Sequence, residues 1–98
     1  MITGTLRLDL LLGDVHSLKA KRSVVRPIVA ELARRHAVSV AETGGQELHR
    51  RAEIGIAVVS GDHAHCRDVL DACERLVADR PEVDLLGAQR RVYDSDDD

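Results

Sequence analysis

Aromatic residues are almost absent from this chain of 98 residues, in which Tyr93 is the single residue of the Phe, Trp or Tyr kind. The hydrophobic core must therefore be built from Leu, Val, Ile and Ala. Proteins that bind single strands of RNA or DNA on stacked aromatic rings need several aromatic side chains. The composition argues against that binding mode, although a hydrophobic content of 44% is typical of a globular domain.

A disulfide framework and long hydrophobic runs are also missing. Two cysteines are too few for a disulfide-stabilised fold, which favours a reducing compartment. No window approaches the roughly 20 apolar residues of a transmembrane helix. The N-terminal stretch MITGTLRLDLLL lacks a basic segment before its apolar residues, unlike a signal peptide. We expect a cytoplasmic protein that does not contact a membrane.

Overall positive charge is lacking, because the formal net charge is −3. The C-terminal segment DSDDD supplies four acidic residues, and without them the net charge is +1. Charge is unevenly placed along the chain. Residues 16–36 hold six Lys or Arg and one Glu, whereas residues 62–80 hold five acids and three Arg. The layout predicts one basic and one mildly acidic helix.

The spacing of apolar residues predicts six elements in the order β-α-β-β-α-β. Strands are indicated by alternation and helices by recurrence every three or four residues. The predicted elements are strands at 2–12, 37–43, 51–60 and 83–93, a helix from the N-cap Ser17 to His36, and a helix at 63–79 capped by Asp62. Residues 44–50 form the loop between the two middle strands.

This order predicts an α+β fold. With right-handed crossovers it gives a ferredoxin-like βαββαβ sandwich, in which a four-stranded antiparallel sheet carries both helices on one face. Residues 1–93 are expected to form a single domain. Residues 94–98 are expected to be a disordered acidic tail.

Several motifs resemble those of the bacterial YlxP-like family. The matching residues are His16–Lys19 with Lys21 and Arg22, Val38–Glu42, and Gln46–Leu48 followed by Arg51, Ala52, Gly55 and Ser60. The resemblance covers nearly the whole chain and implies a ferredoxin-like domain of unknown function. Genes of this family typically lie near those for initiation factor two and ribosome-binding factor A. The resemblance therefore implies a role linked to translation by association.

The helix that begins in the stretch SLKAKRSVVRP is the first candidate site. Lys19, Arg22 and Arg26 form one stripe on a helical wheel, and Lys21 lies at the edge of the apolar arc, from which it would have to snorkel. Basic residues at a helix N-terminus oppose the macrodipole, so an anion such as phosphate is a candidate partner. The alternative is a solvated basic surface whose acids come from a neighbouring loop, for example Asp14.

The loop at 44–50 is the second candidate. Arg50 and Arg51 add positive charge, and Gln46 and His49 add hydrogen-bonding groups. A basic hairpin beside a basic helix suits contact with RNA phosphates. An ordinary polar turn is the alternative interpretation.

The open face of the sheet is expected to present Arg7, Asp9, Ser39 and Glu53, together with Gln89 and Arg91. Without aromatic residues on the central strands, this face does not fit base stacking of the RNA-recognition-motif kind. A mixed-charge face could instead pair with a second copy of the chain, so a homodimer is a second expectation.

Metal binding and catalysis find little support. His63 and His65 point roughly 160° apart at about 100° per residue, so they do not share an ion on a helix, and Cys66 and Cys73 lie on the apolar arc. No nucleophile turn and no phosphate-binding glycine loop is present. We expect no metal, no cofactor and no enzymatic activity.

The sequence thus favours a non-enzymatic RNA- or ribosome-associated factor that contacts phosphates without reading DNA or RNA sequence. The expected contacts are Lys19, Lys21, Arg22, Arg26, Arg50 and Arg51. The alternative is a homodimeric protein-interaction or regulatory module without a nucleic-acid role.

Overall fold

The computed structural model describes residues 1–95 and contains the six predicted elements in the predicted order. The elements are β1 (Ile2–Leu12), α1 (Leu18–Arg35), β2 (Ser39–Gly44), β3 (Arg51–Ser60), α2 (His63–Ala78) and β4 (Val83–Asp94). The strands form one sheet in the order β2-β3-β1-β4, and every neighbouring pair is antiparallel. The predicted ferredoxin-like α+β fold is confirmed.

Several boundaries differ from the prediction by one or two residues: α1 ends at Arg35, α2 ends at Ala78, and β2 includes Gly44 of the predicted loop. Two further differences have local reasons. Residues 37 and 38 are not part of β2, because the Val38 N–H donates to the His36 carbonyl and closes a tight turn there. At the other end, β4 extends to Asp94, which lies opposite Ile2 in the ladder with β1. Asp94 therefore belongs to the sheet and not to the tail, and residues 96–98 of the predicted tail lie outside the described residues.

An aliphatic core lies between the sheet and the helices. Alternate residues of β1 and β3 enter it, as the period of two requires, and both helices bury one apolar stripe against them. Gly4 lies where α2 packs tightly against the sheet. A Cβ atom at this position would lie 2.6 Å from Cys66 Sγ and 2.9 Å from Leu70 Cδ1. The packing of α2 therefore depends on glycine, which has no side chain, at this position of β1.

Irregular pairing occurs in both outer strands. Thr43 is an extra residue in β2 opposite β3, and Leu86 is an extra residue in β4 opposite β1. The bulge at Leu86 breaks the inward–outward alternation of β4, which explains why that pattern is weak in the sequence. Gly45, which follows β2, has a φ of 69°, a left-handed conformation that glycine adopts without steric cost.

Candidate functional site

Helix α1 has an inner and an outer surface of different character. Its N-terminus is capped as predicted, because Ser17 Oγ accepts a hydrogen bond from the Ala20 N–H at 3.0 Å. No acidic residue lies in the first turn. Val25, Ile28 and Leu32 enter the core, so the cations on the opposite arc face outward.

Lys21 lies on the inner surface and is buried. Its Nζ is 2.9 Å from Glu42 Oε2 and donates to the Gly45 carbonyl at 2.5 Å, while only 3% of its side chain is exposed. The expectation that Lys21 snorkels to solvent is wrong, and a phosphate contact at Lys21, which stays a prediction, would require this pairing to open. Its charge is taken up by an acid on β2, and the contact holds the start of α1 against the end of β2.

The outer surface of α1 carries four cations, which we call the outer ridge. The outer ridge consists of Lys19, Arg22, Arg26 and Arg34. All four are exposed, and none has a carboxylate within salt-bridge distance among the described residues. Lys19 and Arg34 are 15 positions apart, which at 1.5 Å per residue gives the outer ridge a length of about 22 Å.

The acids near α1 are engaged elsewhere. Asp14, the predicted source of compensation, contacts His16 instead. Glu31, the one acid within α1, is 3.1 Å from Arg35 and also pairs with Arg80. The hydrogen bond from Arg35 and the nearby Arg80 charge lower the pKa of Glu31 below its ordinary value of 4.5. Arg34 also lies close enough to Glu31 to lower its pKa, so within residues 1–95 the uncompensated part of the outer ridge is Lys19, Arg22 and Arg26.

The hairpin loop lies beside the start of α1, as the contact between Lys21 and Gly45 requires, but its arginines point away from the outer ridge. Arg50 Nε donates to the carbonyls of Leu12 and Gly13, at 3.3 and 2.9 Å. Arg51 pairs with Asp9 at 2.6 Å on the open sheet face. The six predicted contact residues therefore do not share one surface.

The two polar residues predicted in this loop have different surroundings. Gln46 Nε2 donates to the Glu42 carbonyl at 3.3 Å, so the amide supports the turn. His49 is exposed and has no hydrogen bond within residues 1–95.

Charges on the open sheet face are paired across the strands. Arg7 lies 3.5 Å from Glu53 and also contacts Gln89, and Arg51 contacts Asp9. Most of the predicted residues of this face are in place, around a concavity of about 590 Å³ whose floor includes Gly55 and Ala57. An ion-pair network covers the end of the face nearest the hairpin loop.

Arg91 is the exception on this face. Its guanidinium donates to the Tyr93 hydroxyl at 3.5 Å, and this contact raises the pKa of Arg91 above its ordinary value. Arg91 has no carboxylate partner among the described residues. The single aromatic residue of the chain therefore lies on the open face beside a free guanidinium.

Residues considered for metal binding are separated by the fold. His63 Nε2 lies 2.8 Å from Asp94 Oδ2, His65 is exposed, and Cys66 and Cys73 are buried in the core. Burial raises the pKa of the Cys73 thiol. No group of three or more His, Cys, Asp or Glu side chains in residues 1–95 is arranged to hold a metal ion.

Two relevant residues were missed by the sequence analysis. Arg34 continues the stripe of Lys19, Arg22 and Arg26 by two helical turns, so helical spacing alone could have identified it. Tyr93 has the same strand parity as Gln89 and Arg91, which were placed on the open face. The periodicity already used to predict the helix and the strands would have identified both residues.

Neither helix in the described part of the chain is long and apolar enough to cross a membrane.

Comparisons with known proteins agree with the motifs. Residues 3–90 match the family described as "Protein of unknown function (DUF503)". The chain is also 28% identical over 81 residues to a protein of Bacillus subtilis (strain 168) named "Uncharacterized protein YlxP". That match covers 83% of this chain and 88% of its relative. The motifs, the fold and these matches together show that the chain belongs to the YlxP-like family of unknown function.

Proposed function

We propose that this protein is a cytoplasmic, non-enzymatic RNA-binding factor that associates with ribosomal or other structured RNA. Its contacts are made by the outer ridge of α1 and are directed at phosphate groups. The observation that carries the proposal is the set of four exposed cations on one helix surface, none of which forms a salt bridge with a described residue.

Free cations matter because phosphate binding is driven largely by release of counterions from the nucleic acid. A guanidinium already bound to a carboxylate must give up that partner before it binds phosphate. None of the four cations of the outer ridge has such a carboxylate partner within residues 1–95. A strip of about 22 Å can reach several successive phosphates of one strand or of a groove edge.

A structured RNA fits this surface better than a sequence-specific single strand. The outer ridge presents charge without aromatic rings, and Tyr93 lies on the opposite side of the sheet. Double-stranded and folded RNA is bound mainly through shape, phosphates and 2′-hydroxyls. The proposal therefore predicts affinity that depends strongly on salt and weakly on base sequence.

Co-sedimentation with purified ribosomal subunits at low and high salt tests the proposal. The informative variant is Arg22→Glu/Arg26→Glu, which reverses two charges of the outer ridge. The matched control is Arg67→Glu/Arg75→Glu, which makes the same charge change at two exposed arginines of α2. We expect salt-sensitive association that the α1 variant loses and the α2 variant keeps.

Three results would contradict the proposal. The wild-type protein could fail to associate at low salt, or both variants could lose association equally, which would indicate a general charge effect. Association that resists both high salt and nuclease would instead support the alternative of a protein-interaction module.

A further inference from the structure

The strand β4 forms a long and exposed edge of the sheet. It is 12 residues long and pairs with β1 on one side only, so alternate backbone N–H and C=O groups face outward along its other side. Most of its side chains are exposed on both faces of the sheet. The opposite edge, β2, has six residues and is covered in part by α1.

Exposed apolar side chains are concentrated on this edge. Among the large hydrophobic residues exposed in the described chain, three belong to β4. They are Leu86 at 49%, Val92 at 38% and Tyr93 at 53%. The strand contains neither proline nor lysine, which are common protective residues at edge strands. A long edge with these properties is a template for pairing with another strand.

We infer that β4 pairs antiparallel with β4 of a second copy, with Gln89 on the two-fold axis, so that two sheets join into one of eight strands. An antiparallel self-pairing is isologous, because each residue meets its counterpart through the same symmetry operation. In this register Leu86 lies opposite Val92 of the second copy. The sheets would be joined by backbone hydrogen bonds and by these apolar pairs at both ends of the shared ladder.

The register centred on Gln89 is self-complementary in charge as well. Arg91 lies opposite Gly87 and Arg90 lies opposite Ala88, so no arginine lies directly opposite another, and the two Arg90 residues are diagonal neighbours. Arg90 is also neutralised within its own copy, 2.8 Å from Asp71 of α2. A shift of the two-fold axis by one residue, to Arg90, would place two arginines directly opposite each other, which is unfavourable.

The bulge at Leu86 limits the length of the junction. Regular pairing runs from Gly87 to Arg91, and the bulge residue Leu86, opposite Val92, ends it on each side. The outer ridge stays free in such a dimer, because α1 packs toward β2 at the other edge of the sheet. This dimer therefore goes beyond the proposed RNA contact and does not depend on it.

Disulfide trapping tests the register directly. Directly opposite residues of antiparallel strands have Cα atoms about 4.5–5.5 Å apart, within the range a disulfide spans. We expect Gln89→Cys to give a covalent dimer under mild oxidation. Arg91→Cys is the matched control on the same strand and face, because its two copies would be separated by about 14 Å along the strand. The native cysteines are buried and do not compete.

Two further arrangements sharpen the test. A mixture of Gly87→Cys and Arg91→Cys copies should form the mixed disulfide, and Gly87 has open space where a Cβ atom would be added. Ala57→Cys, at the centre of the open sheet face, should not crosslink. Crosslinking of Ala57→Cys in preference to Gln89→Cys would overturn the edge pairing in favour of face-to-face association.

A charge-exchange experiment tests the same junction without oxidation. We expect the wild-type protein to have twice the monomer mass in light scattering at high concentration, and Leu86→Glu or Val92→Lys alone to give monomers. The double variant Leu86→Glu/Val92→Lys should recover the dimer, because each introduced charge then faces its opposite. A monomeric wild-type protein, single variants that remain dimeric, or a double variant that stays monomeric would each overturn the inferred junction.

Discussion

The outer surface of α1 and the open face of the sheet carry similar numbers of cations. The two surfaces differ in whether those cations are paired with acids. On α1, four cations have no acidic partner within the described chain. On the sheet, Arg7 and Arg51 are paired with Glu53 and Asp9. Among the described residues, only Arg91 on that face lacks a carboxylate, and it contacts Tyr93. The difference follows from topology, because cross-strand neighbours bring acids and bases together, whereas the one acid of α1, Glu31, lies near Arg34 alone among the four cations.

This difference shows that the number of basic residues on a surface is a poor guide to its affinity for anions. A paired cation contributes little net charge, and its exposed ion pair contributes at most about 1 kcal/mol to stability. An unpaired cation has little role in stability and remains available to a ligand. We therefore assign binding to the outer ridge and a structural role to the arginines near the hairpin loop.

The largest expected effect concerns the inner surface of α1, where a cation is both buried and paired. Removing the acid by Glu42→Ala leaves the Lys21 charge without its partner in a site with little access to water. Because Glu42 itself is 24% exposed, we expect a loss of about 2–3 kcal/mol in the free energy of unfolding, somewhat below the cost for a fully buried pair. Chemical denaturation measures this loss.

A matched control removes both charges at once. Lys21→Met/Glu42→Leu should be close to wild type in stability, since no unpaired charge remains in the site. Arg22→Met, at the neighbouring exposed position, should change stability by less than about 0.5 kcal/mol. If Glu42→Ala and Arg22→Met had equal effects, the contrast between the two surfaces of α1 would be unfounded.

The second prediction concerns the arginines of the open sheet face after their acidic partners are removed. Asp9→Asn/Glu53→Gln removes the carboxylates opposite Arg51 and Arg7 while keeping side chains of similar shape. The open face then presents three free cations, and we expect affinity for ribosomal RNA at low salt to rise about tenfold. Filter binding at constant ionic strength measures this change, and an unaltered affinity would show that pairing does not control binding.

The third prediction concerns the energy of one paired cation. A double-mutant cycle with Arg51→Ala and Asp9→Ala should give a coupling energy of about 0.2–1 kcal/mol, because both side chains are 46% exposed. A coupling energy well above this range would mean that the sheet network is a major source of stability.

The smallest effect is a pH dependence at the end of α1 that packs against Arg80. The pKa of Glu31 is lower in the folded chain than in the unfolded chain, chiefly because Arg35 donates a hydrogen bond to it. Its contribution is therefore present above about pH 4.5 and is lost as the pH falls through the lowered folded-state value. Thermal unfolding of Glu31→Gln should differ from wild type near neutral pH and converge with it in acid. A constant difference across that range would contradict this assignment.

Periodicity was sufficient to predict the fold, and its limits explain what was missed at the site. The alternation in β1 and β3 and the caps Ser17 and Asp62 located four elements almost to the residue. The wheel of α1 also placed Lys21 at the edge of the apolar arc. It did not reveal the partner Glu42, which is 21 residues further along and meets Lys21 only once β2 lies under α1.

The contacts made by the Arg50 and Arg51 side chains depend on strand register, which the sequence does not specify. Their proximity to the basic helix in the chain suggested one shared surface. In the ladder between β1 and β3, Leu11 lies opposite Arg51, and this register brings the guanidinium to Asp9. Arg50 lies just before β3, and its guanidinium contacts the carbonyls at the end of β1 instead.

The salt dependence of binding to ribosomal RNA tests the central claim most directly. Two variants with equal charge change are compared with the wild-type protein: Lys19→Gln/Arg22→Gln/Arg26→Gln on the outer ridge, and Arg7→Gln/Arg51→Gln/Arg91→Gln on the sheet. We predict that the first reduces the slope of log K against log salt by about 2–3, and that the second leaves it nearly unchanged. No binding by the wild-type protein, or equal reductions in both variants, would contradict the assignment of RNA binding to the unpaired cations of α1.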